Sequence, residues 1–329
     1  MIHALRLLKR HLAAALAATA CLAATPASAT DSLVLGTNWF AEAEHGGFYQ
    51  ALATGIYKKY DLDVTIKMGG PQINGIQMLA GGLIDLWVGY DFQTLKAVEQ
   101  GVPTVTIAGF FQKDPQGILA HPDVKTFADL KGKTIFVASS SETSFWPWLK
   151  AKYGYTDSQK KPYAFSVAPF LADRQSAQQG YVTSEPYAIE QGGVKPTQLL
   201  LADEGYPPYA TTVVTLRKTI DGKSDALARF VKATAEGWKS YLADPAPGNA
   251  LIKKDNPKMT DDQLAFGVAQ LKAFGIVTGG DAAKQGIGVM TDARWKRTAD
   301  VMVESRILPA TVDYKQAYTL QYVKDLPLP

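Results

Sequence analysis

Cysteine and histidine are nearly absent from this sequence. Its 329 residues include one cysteine, Cys21, and four histidines. Cys21, His3 and His11 all lie within the first 29 residues, so that only His45 and His121 remain beyond them. This scarcity excludes disulfides, cysteine nucleophiles and Cys/His zinc sites from that part of the chain. The motifs GxxxxGK[ST], GxSxG and HExxH are also missing. We expect no metal site and no cofactor.

The first 29 residues have the composition of an export signal. Three basic residues precede an apolar stretch at 12–24, and Ala-Ser-Ala stands directly before Thr30. This order predicts a secretory signal peptide over 1–29 and a periplasmic mature protein. The apolar stretch is well short of the ~20 residues that span a bilayer, which argues against a membrane anchor. A lipoprotein modified at Cys21 is the alternative.

The chain beyond residue 29 lacks an excess of either charge. The signal removes three of the 34 basic residues and none of the 31 acidic ones, which leaves 31 of each sign. A basic surface for nucleic acid is therefore not expected, since such binding depends on displaced counterions. The remaining 300 residues suffice for one large or two moderate domains.

Short apolar runs alternate with segments of helical period, which is typical of an α/β fold with parallel-rich sheets. The predicted strands are 33–39, 63–69, 85–90, 102–111, 117–121, 134–139, 164–169, 181–186, 198–203 and 210–217. The predicted helices between them are 46–54, 72–81, 91–100, 144–153, 173–180 and 186–191.

The pattern beyond residue 223 is helical only. DALARFVKATAEGWKSYLA repeats apolar residues at spacings of three and four, and further helices fit 246–254, 261–274 and 291–305. Turn-rich breaks at 109–117 and 204–212 predict two chain crossings between lobes. We expect 30–113 and 212–329 to form lobe I, and 114–211 to form lobe II.

Ligands of open α/β sheets bind beyond the carboxyl ends of the strands. This rule selects a cleft between the lobes that is lined by rings, donors and acceptors and lacks a nucleophile. The candidate ligand-binding residues are Asn38, Trp39, Phe40, Glu44, His45, Tyr90, Asp91, Gln112, Ser140, Ser141, Thr143, Trp146 and Glu185.

Several candidates in lobe I also have a structural interpretation. Trp39 and Phe40 either stack on a ligand or pack in the core, and Tyr90-Asp91 can simply begin a helix. His45 either hydrogen-bonds the following helix or contacts ligand. Glu42 and Glu44 can cap that helix, an interpretation that we favour for Glu42 and leave open for Glu44.

In lobe II, the run SSSET at 139–143 places hydroxyls and free N–H groups before a helix, where an acceptor or an anion can bind. Glu142 within this run opposes a fully anionic ligand. Trp146 either stacks on the ligand or packs. Glu185 is interpreted as an acceptor for ring N–H groups, because an unpaired carboxylate is costly in a closed cleft.

The sequence resembles the NMT1/THI5-like (SsuA/THI5) solute-binding proteins of ABC importers. Five segments occur in the family order: NWFAEAEHGGFYQALATGIYKKYDLDV, GGPQINGIQMLAGGLIDLWVGY, EQGVPTVTIAGFFQKDP, FADLKGKTIFVASSSET and YVTSEPYAIEQGG. The resemblance implies a type II periplasmic-binding fold with two lobes and two hinge crossings. It also implies a monomeric, non-enzymatic binder that delivers a small molecule to an inner-membrane permease.

The Asn-Trp pair with a histidine six positions after the Trp resembles the branch that recognises thiamine pyrimidines. A small, flat, mostly neutral aminopyrimidine is therefore the expected ligand. Sulfonate, nitrate and aromatic-acid binders of the same family are the alternatives. A further alternative is the fungal branch that synthesises the pyrimidine. That branch carries a lysine, a histidine and a cysteine-rich motif, whereas this chain has Gly89 and Gln93 in the matching segment and no cysteine beyond residue 29.

Overall fold

The structure is a computed structural model that describes residues 30–329. The predicted signal peptide and Cys21 lie outside the described residues. Two five-stranded sheets form the framework, and each is the centre of one lobe. Among residues 30–329, every helix is too short or too polar to cross a bilayer.

The first sheet has the strand order β2-β1-β3-β10-β4. Strands β1, β2 and β3 are parallel, whereas β10 runs antiparallel to both β3 and β4. Every residue of β4 and β10 is buried, which explains why both strands consist of apolar residues and threonine and carry no charged side chain. The bounds are β1 Asp31–Gly36, β2 Leu62–Lys67, β3 Leu86–Gly89, β4 Thr104–Phe111 and β10 Ala210–Leu216.

The second sheet has the order β7-β6-β8-β5-β9. Strands β6, β7 and β8 are parallel, and β5 runs antiparallel to β8 and β9. The two-lobed type II architecture is confirmed, with mixed sheets. The bounds are β5 Gln116–Ala120, β6 Thr134–Val137, β7 Lys160–Pro162, β8 Ser176–Tyr181 and β9 Thr197–Leu200.

Helices cover both sheets, and those after β10 return to the first lobe. The first-lobe helices are α1 Gly46–Ala53, α2 Ile56–Lys59, α3 Gly75–Ala80 and α4 Asp91–Glu99. The second-lobe helices are α5 Phe145–Tyr153, α6 Ala168–Ala172 and α7 Glu185–Gln191. The C-terminal helices are α8 Arg217–Ala243, α9 Ala246–Asp255, α10 Asp261–Ala273, α11 Ala282–Gln285 and α12 Asp292–Glu304.

Helix α8 packs on α1, as its apolar period predicts. Leu227, Phe230 and Trp238 are fully buried on its inner face. The two helices approach so closely that a Cβ on Gly47 would lie 2.3 Å from the Trp238 ring. Gly46 and Gly47 at the start of α1 are therefore needed for α8 to pack this closely against α1.

Two predicted strands and one predicted helix of lobe II are wrong. Residues 176–181 form the central strand β8 instead of a helix, because hydrogen bonding to β5 and β6 overrides the helical tendency of Ala177, Gln178 and Gln179. Strand pairing ends at Tyr181, so 181–186 turns into helix α7. The segment 164–169 is not a strand, since Phe165 has a left-handed φ of 55°.

The chain passes between the sheets twice, through 112–115 and 201–209. The first crossing lies inside the break predicted at 109–117, and the second overlaps the break predicted at 204–212 but begins three residues earlier. Arg294 of α12 holds both crossings. Its guanidinium donates to the carbonyl of Gln112 on the first crossing and to those of Pro207 (2.7 Å) and Pro208 (2.9 Å) on the second. One side chain thus links the two connections between the lobes.

Candidate functional site

The strand ends of the two lobes face each other across a closed cleft. From the first lobe come the residues after β1 and β3, and from the second lobe come the residues after β7 and β8. Three side-chain contacts join the lobes here, namely Trp39 with Phe165, Tyr90 with Tyr181, and Glu44 with Thr183. The geometry therefore brings together Asn38, Trp39, Glu44, His45, Tyr90 and Glu185 from the predicted set.

Asn38 and His45 form a hydrogen-bonded pair at the start of α1. The His45 Nε2 lies 3.1 Å from the Asn38 Oδ1, so Nε2 carries the proton and Nδ1 is an acceptor. Burial lowers the pKa of His45 to about 4, which keeps the ring neutral at physiological pH. Its Nδ1 is buried and has no hydrogen-bond partner within residues 30–329. A ligand N–H group can satisfy this acceptor.

Three carboxylates from both lobes cluster in the cleft. Glu42 and Glu44 are buried, and Glu185 is half-buried. Burial raises the pKa of Glu42, and the negative charges of Glu44 and Glu185 raise it further. Burial also raises the pKa of Glu44, to about 7, although the Thr183 hydroxyl that donates to Glu44 opposes this shift.

No lysine or arginine of the described chain forms an ion pair with these three residues. The cleft therefore places three carboxyl groups together without a cation from residues 30–329 to balance their charge when they ionise. Residues 30–329 also contain no group of three or more His, Cys, Asp or Glu side chains placed to bind a metal ion.

Glu185 is fixed by donors of its own lobe. Its Oε1 accepts from the Tyr163 hydroxyl at 3.0 Å, and its Oε2 accepts from the Tyr181 backbone N–H at 2.7 Å. These hydrogen bonds favour the charged form, whereas burial raises the pKa above its ordinary value. The carboxylate is thus oriented at the carboxyl end of β8 and keeps unused acceptor capacity.

Two predicted site residues, Asp91 and Gln112, serve the hinge instead and are corrections. Asp91 is fully buried and accepts from the Tyr209 N–H and the Thr298 hydroxyl, both at 2.9 Å. Gln112 donates through Nε2 to the carbonyls of Gly109 and Val289, both at 2.8 Å. Their polar groups are engaged with the crossings and the C-terminal helices.

The SSSET segment also departs from its prediction. The N–H of Ala138 and the hydroxyl of Ser141 both donate to the Gln179 Oε1, at 2.6 and 2.8 Å. These donors are therefore occupied within the lobe. Ser140 and Thr143 are exposed, and Glu142 pairs with Lys160 at the surface.

The predicted stacking residues divide between cleft and core. Trp146 is buried among the side chains of its own lobe and donates its indole N–H to Asp157 at 2.8 Å, so its stacking role is corrected to a core role. Trp39 stays partly exposed and contacts Phe40 at 5.5 Å and Phe165 at 4.6 Å between ring centroids. Phe40 is 41% exposed at the edge of the cleft.

Five residues of the cleft are absent from the predicted set, namely Glu42, Tyr163, Phe165, Tyr181 and Thr183. The sequence favours Glu42 as a helix cap, yet its side chain makes no capping hydrogen bond and is only 8% exposed. The other four lie after or at the end of strands that were misplaced by several residues. Correct bounds for β7 and β8 would have selected them by the same strand-end rule.

Comparison with known proteins agrees with this architecture. A model described as NMT1/THI5 like matches residues 42–247, and the chain belongs to that family. The riboflavin-binding protein RibY of Chloroflexus aurantiacus is 27% identical over 238 residues, which are 70% of this chain and 67% of RibY. A formylaminopyrimidine-binding protein of Halalkalibacterium halodurans is 24% identical over 225 residues, covering 66% and 68%.

Among solved structures, the periplasmic aliphatic sulphonate binding protein SsuA of Escherichia coli superimposes with a TM-score of 0.69. The alignment covers 91% of this chain and 96% of SsuA at 18% identity. At that identity the likeness supports the fold alone.

Proposed function

We propose that this member of the NMT1/THI5-like family is the solute-binding component of an ABC importer. It captures a small, flat nitrogen heterocycle between its lobes in the periplasm and, as a monomer, delivers it to an inner-membrane permease. A thiamine-related aminopyrimidine is the best candidate ligand. Binding shifts the equilibrium between open and closed lobes toward the closed arrangement. The size of that shift is set by how much more tightly the ligand binds the closed arrangement than the open one.

The observation that carries this proposal is the uncompensated acceptor set of the cleft. The His45 Nδ1 has no hydrogen-bond partner within residues 30–329, and the Glu185 carboxylate, which accepts from Tyr163 and Tyr181, keeps acceptor capacity for a ligand N–H group. An amino-substituted nitrogen heterocycle presents N–H groups along its edge and a π-face to Trp39. Each N–H that satisfies a buried acceptor contributes roughly 1 to 3 kcal/mol of discrimination against an analogue that lacks it.

The relatives support the same ligand class. One relative is named for riboflavin and another for a formylaminopyrimidine, and both ligands contain a pyrimidine ring. Sulfonate and nitrate fit this cleft less well, because three carboxylates would repel an anion when ionised and the Ser141 hydroxyl of the SSSET segment already donates to Gln179.

A binding role is also supported over the pyrimidine-synthesising branch. The matching segment has Gly89 and Gln93 in place of that branch's lysine and histidine. The Gln93 side chain is used to accept the Tyr90 N–H at 3.1 Å, at the start of α4. The riboflavin-binding and formylaminopyrimidine-binding relatives, which match over about two thirds of the chain, are named as binding proteins.

Native mass spectrometry of freshly purified protein, followed by a thermal-shift panel, tests the proposal. The panel contains aminopyrimidines, formylaminopyrimidine, riboflavin, alkylsulfonates and aromatic carboxylates. We expect Tm to rise with a nitrogen heterocycle, and Trp39→Ala to weaken that response. A response to sulfonates alone would reject the ligand class while leaving a solute-binding role.

A further inference from the structure

Phe165 is an aromatic residue on the opposite lobe from Trp39. We propose that Phe165 is a closure residue, which covers a flat ligand held against Trp39 and sets how long that ligand stays bound. This inference rests on the proposed function and adds a specificity-determining residue to it.

The contact between Trp39 and Phe165 joins the two lobes. Trp39 follows β1 of the first sheet, and Phe165 follows β7 of the second. Their ring centroids are 4.6 Å apart, with an angle of 48° between the ring planes. Since the residues belong to different lobes, rotation of the lobes about the crossings must separate the rings. The contact therefore belongs to the closed arrangement.

Phe165 has no role in the core of its own lobe. Its side chain is 49% exposed, and it belongs to none of the buried apolar clusters. Its backbone has φ of 55°, a left-handed conformation that is strained for a bulky residue. Strained residues of this kind persist where the surrounding structure requires them, often at ligand clamps. Phe165 is thus held at the cleft edge at a cost that lobe stability does not explain.

The segment of Phe165 also reaches the acceptors of the cleft. Its ring centroid lies 5.3 Å from that of Tyr163. Tyr163 is buried and donates to Glu185 at 3.0 Å. Tyr163 therefore contacts the carboxylate of Glu185, and Phe165, two residues further along the chain, contacts the ring of Trp39. A ligand whose edge reaches Glu185 and whose face lies on Trp39 would have Phe165 beside it.

This placement affects ligand release more than capture. The open cleft lacks the interlobe ring contact, so encounter does not depend on it, whereas release requires that the rings separate. The dissociation rate constant of Phe165→Ala should rise about three- to tenfold, the value of one aromatic pair. In a Trp39→Ala background, the same substitution should have little further effect.

The experiment measures stopped-flow dissociation of riboflavin and of formylaminopyrimidine from wild type, Phe165→Ala, Phe165→Gly and Leu83→Ala. Glycine removes the ring and also relieves the left-handed backbone, so both Phe165 variants should release ligand equally fast if the ring is responsible. Leu83 is 59% exposed and serves as the control, with an unchanged rate. An unchanged rate in both Phe165 variants would overturn the proposal, as would recovery in Phe165→Gly.

A measurement without ligand separates this inference from the proposed function. The chain beyond residue 29 has no cysteine, so cysteines at exposed Lys59 and Lys161 allow one spin label on each lobe. If neither probe binds, the ligand class fails, and the interlobe distance distribution then tests Phe165. Phe165→Ala should shift the distribution toward longer distances. Identical distributions in wild type and variant would reject the closure role.

Discussion

The guanidinium of Arg294 lies over the ring of Tyr209, 4.1 Å from its centroid, and holds the second crossing against the first. Tyr209 in turn donates its backbone N–H to Asp91 at 2.9 Å. Helix α12 therefore reaches the hinge from the C-terminal end of the sequence, and the crossings, α12 and the start of α4 form one hydrogen-bonded unit.

Replacing Arg294 with methionine should lower the free energy of unfolding by at least ~2 kcal/mol, because three hinge carbonyls lose their donor. Urea unfolding measures this loss. Arg297→Met is the control on the same helix, since within residues 30–329 Arg297 pairs only with Glu304 at the surface and should change stability by less than ~0.5 kcal/mol. Equal losses in both variants would show that Arg294 has no special role at the hinge.

Glu44 should make the ligand-free protein less stable as pH rises. Its pKa is raised from 4.5 to about 7, so the folded state holds a proton that the unfolded state has already released in that interval. Its unfavourable contribution is absent below pH 4.5, grows between 4.5 and 7, and is complete above 7.

Glu44→Gln keeps an acceptor for the Thr183 hydroxyl and cannot ionise. The Tm of this variant relative to wild type should therefore increase as pH is raised from 5 to 8. Glu190→Gln at an exposed position should show a constant difference across the same series. A constant difference for Glu44→Gln as well would contradict the raised pKa.

Substitutions of the two histidines beyond residue 29 should have different effects, one on ligand affinity and the other on thermal stability. His45→Phe removes the free Nδ1 acceptor and should weaken ligand binding roughly 10- to 100-fold, the cost of leaving one ligand donor unpaired. His121 bonds the Phe170 carbonyl at 3.1 Å and stacks on its ring within lobe II. His121→Phe should therefore lower Tm and leave the affinity nearly unchanged. The affinities of the two variants are measured by titration calorimetry with the heterocycle that raises Tm most in the thermal-shift panel. Equal affinities in His45→Phe and His121→Phe would refute a ligand-binding role for His45.

Gly47→Ala should destabilise the first lobe by roughly 1 to 3 kcal/mol, because its Cβ would overlap the Trp238 ring and force α8 away from α1. Gly222→Ala in α8 is the matched control. A Cβ at Gly222 meets no atom within 4 Å, so the protein should be unchanged or slightly more stable. Urea unfolding of both variants checks this, and a neutral Gly47→Ala would mean that the helices can separate without loss.

Local patterns in the sequence were sufficient for most of the framework. The apolar period of α8, the alternation of strands and helices and the turn-rich crossings all depend on residues close together in the chain. The failure at 176–181 has the same origin, since Gln178 and Gln179 are compatible with a helix until strands on both sides pair with them. Only contacts with distant strands decide that segment.

The candidate site was likewise only partly predictable from local sequence. The strand-end rule predicted from sequence alone that Trp39, His45 and Glu185 lie beyond the carboxyl ends of strands, because chain direction within a parallel sheet determines where loops emerge. The rule could not show that Asp91 faces the hinge or that Phe165 meets Trp39. Those outcomes depend on rotamers and on how one lobe lies over the other.

The sequence by itself determined the family, the two-lobed fold and the mixture of rings and acceptors at strand ends. Only the tertiary structure decided that Glu42, Glu44 and Glu185 share one closed cleft without a balancing cation. The Thr183 hydroxyl that meets Glu44 is 139 positions away in the chain. Burial and charge are sums over such distant neighbours, and no local pattern contains those neighbours.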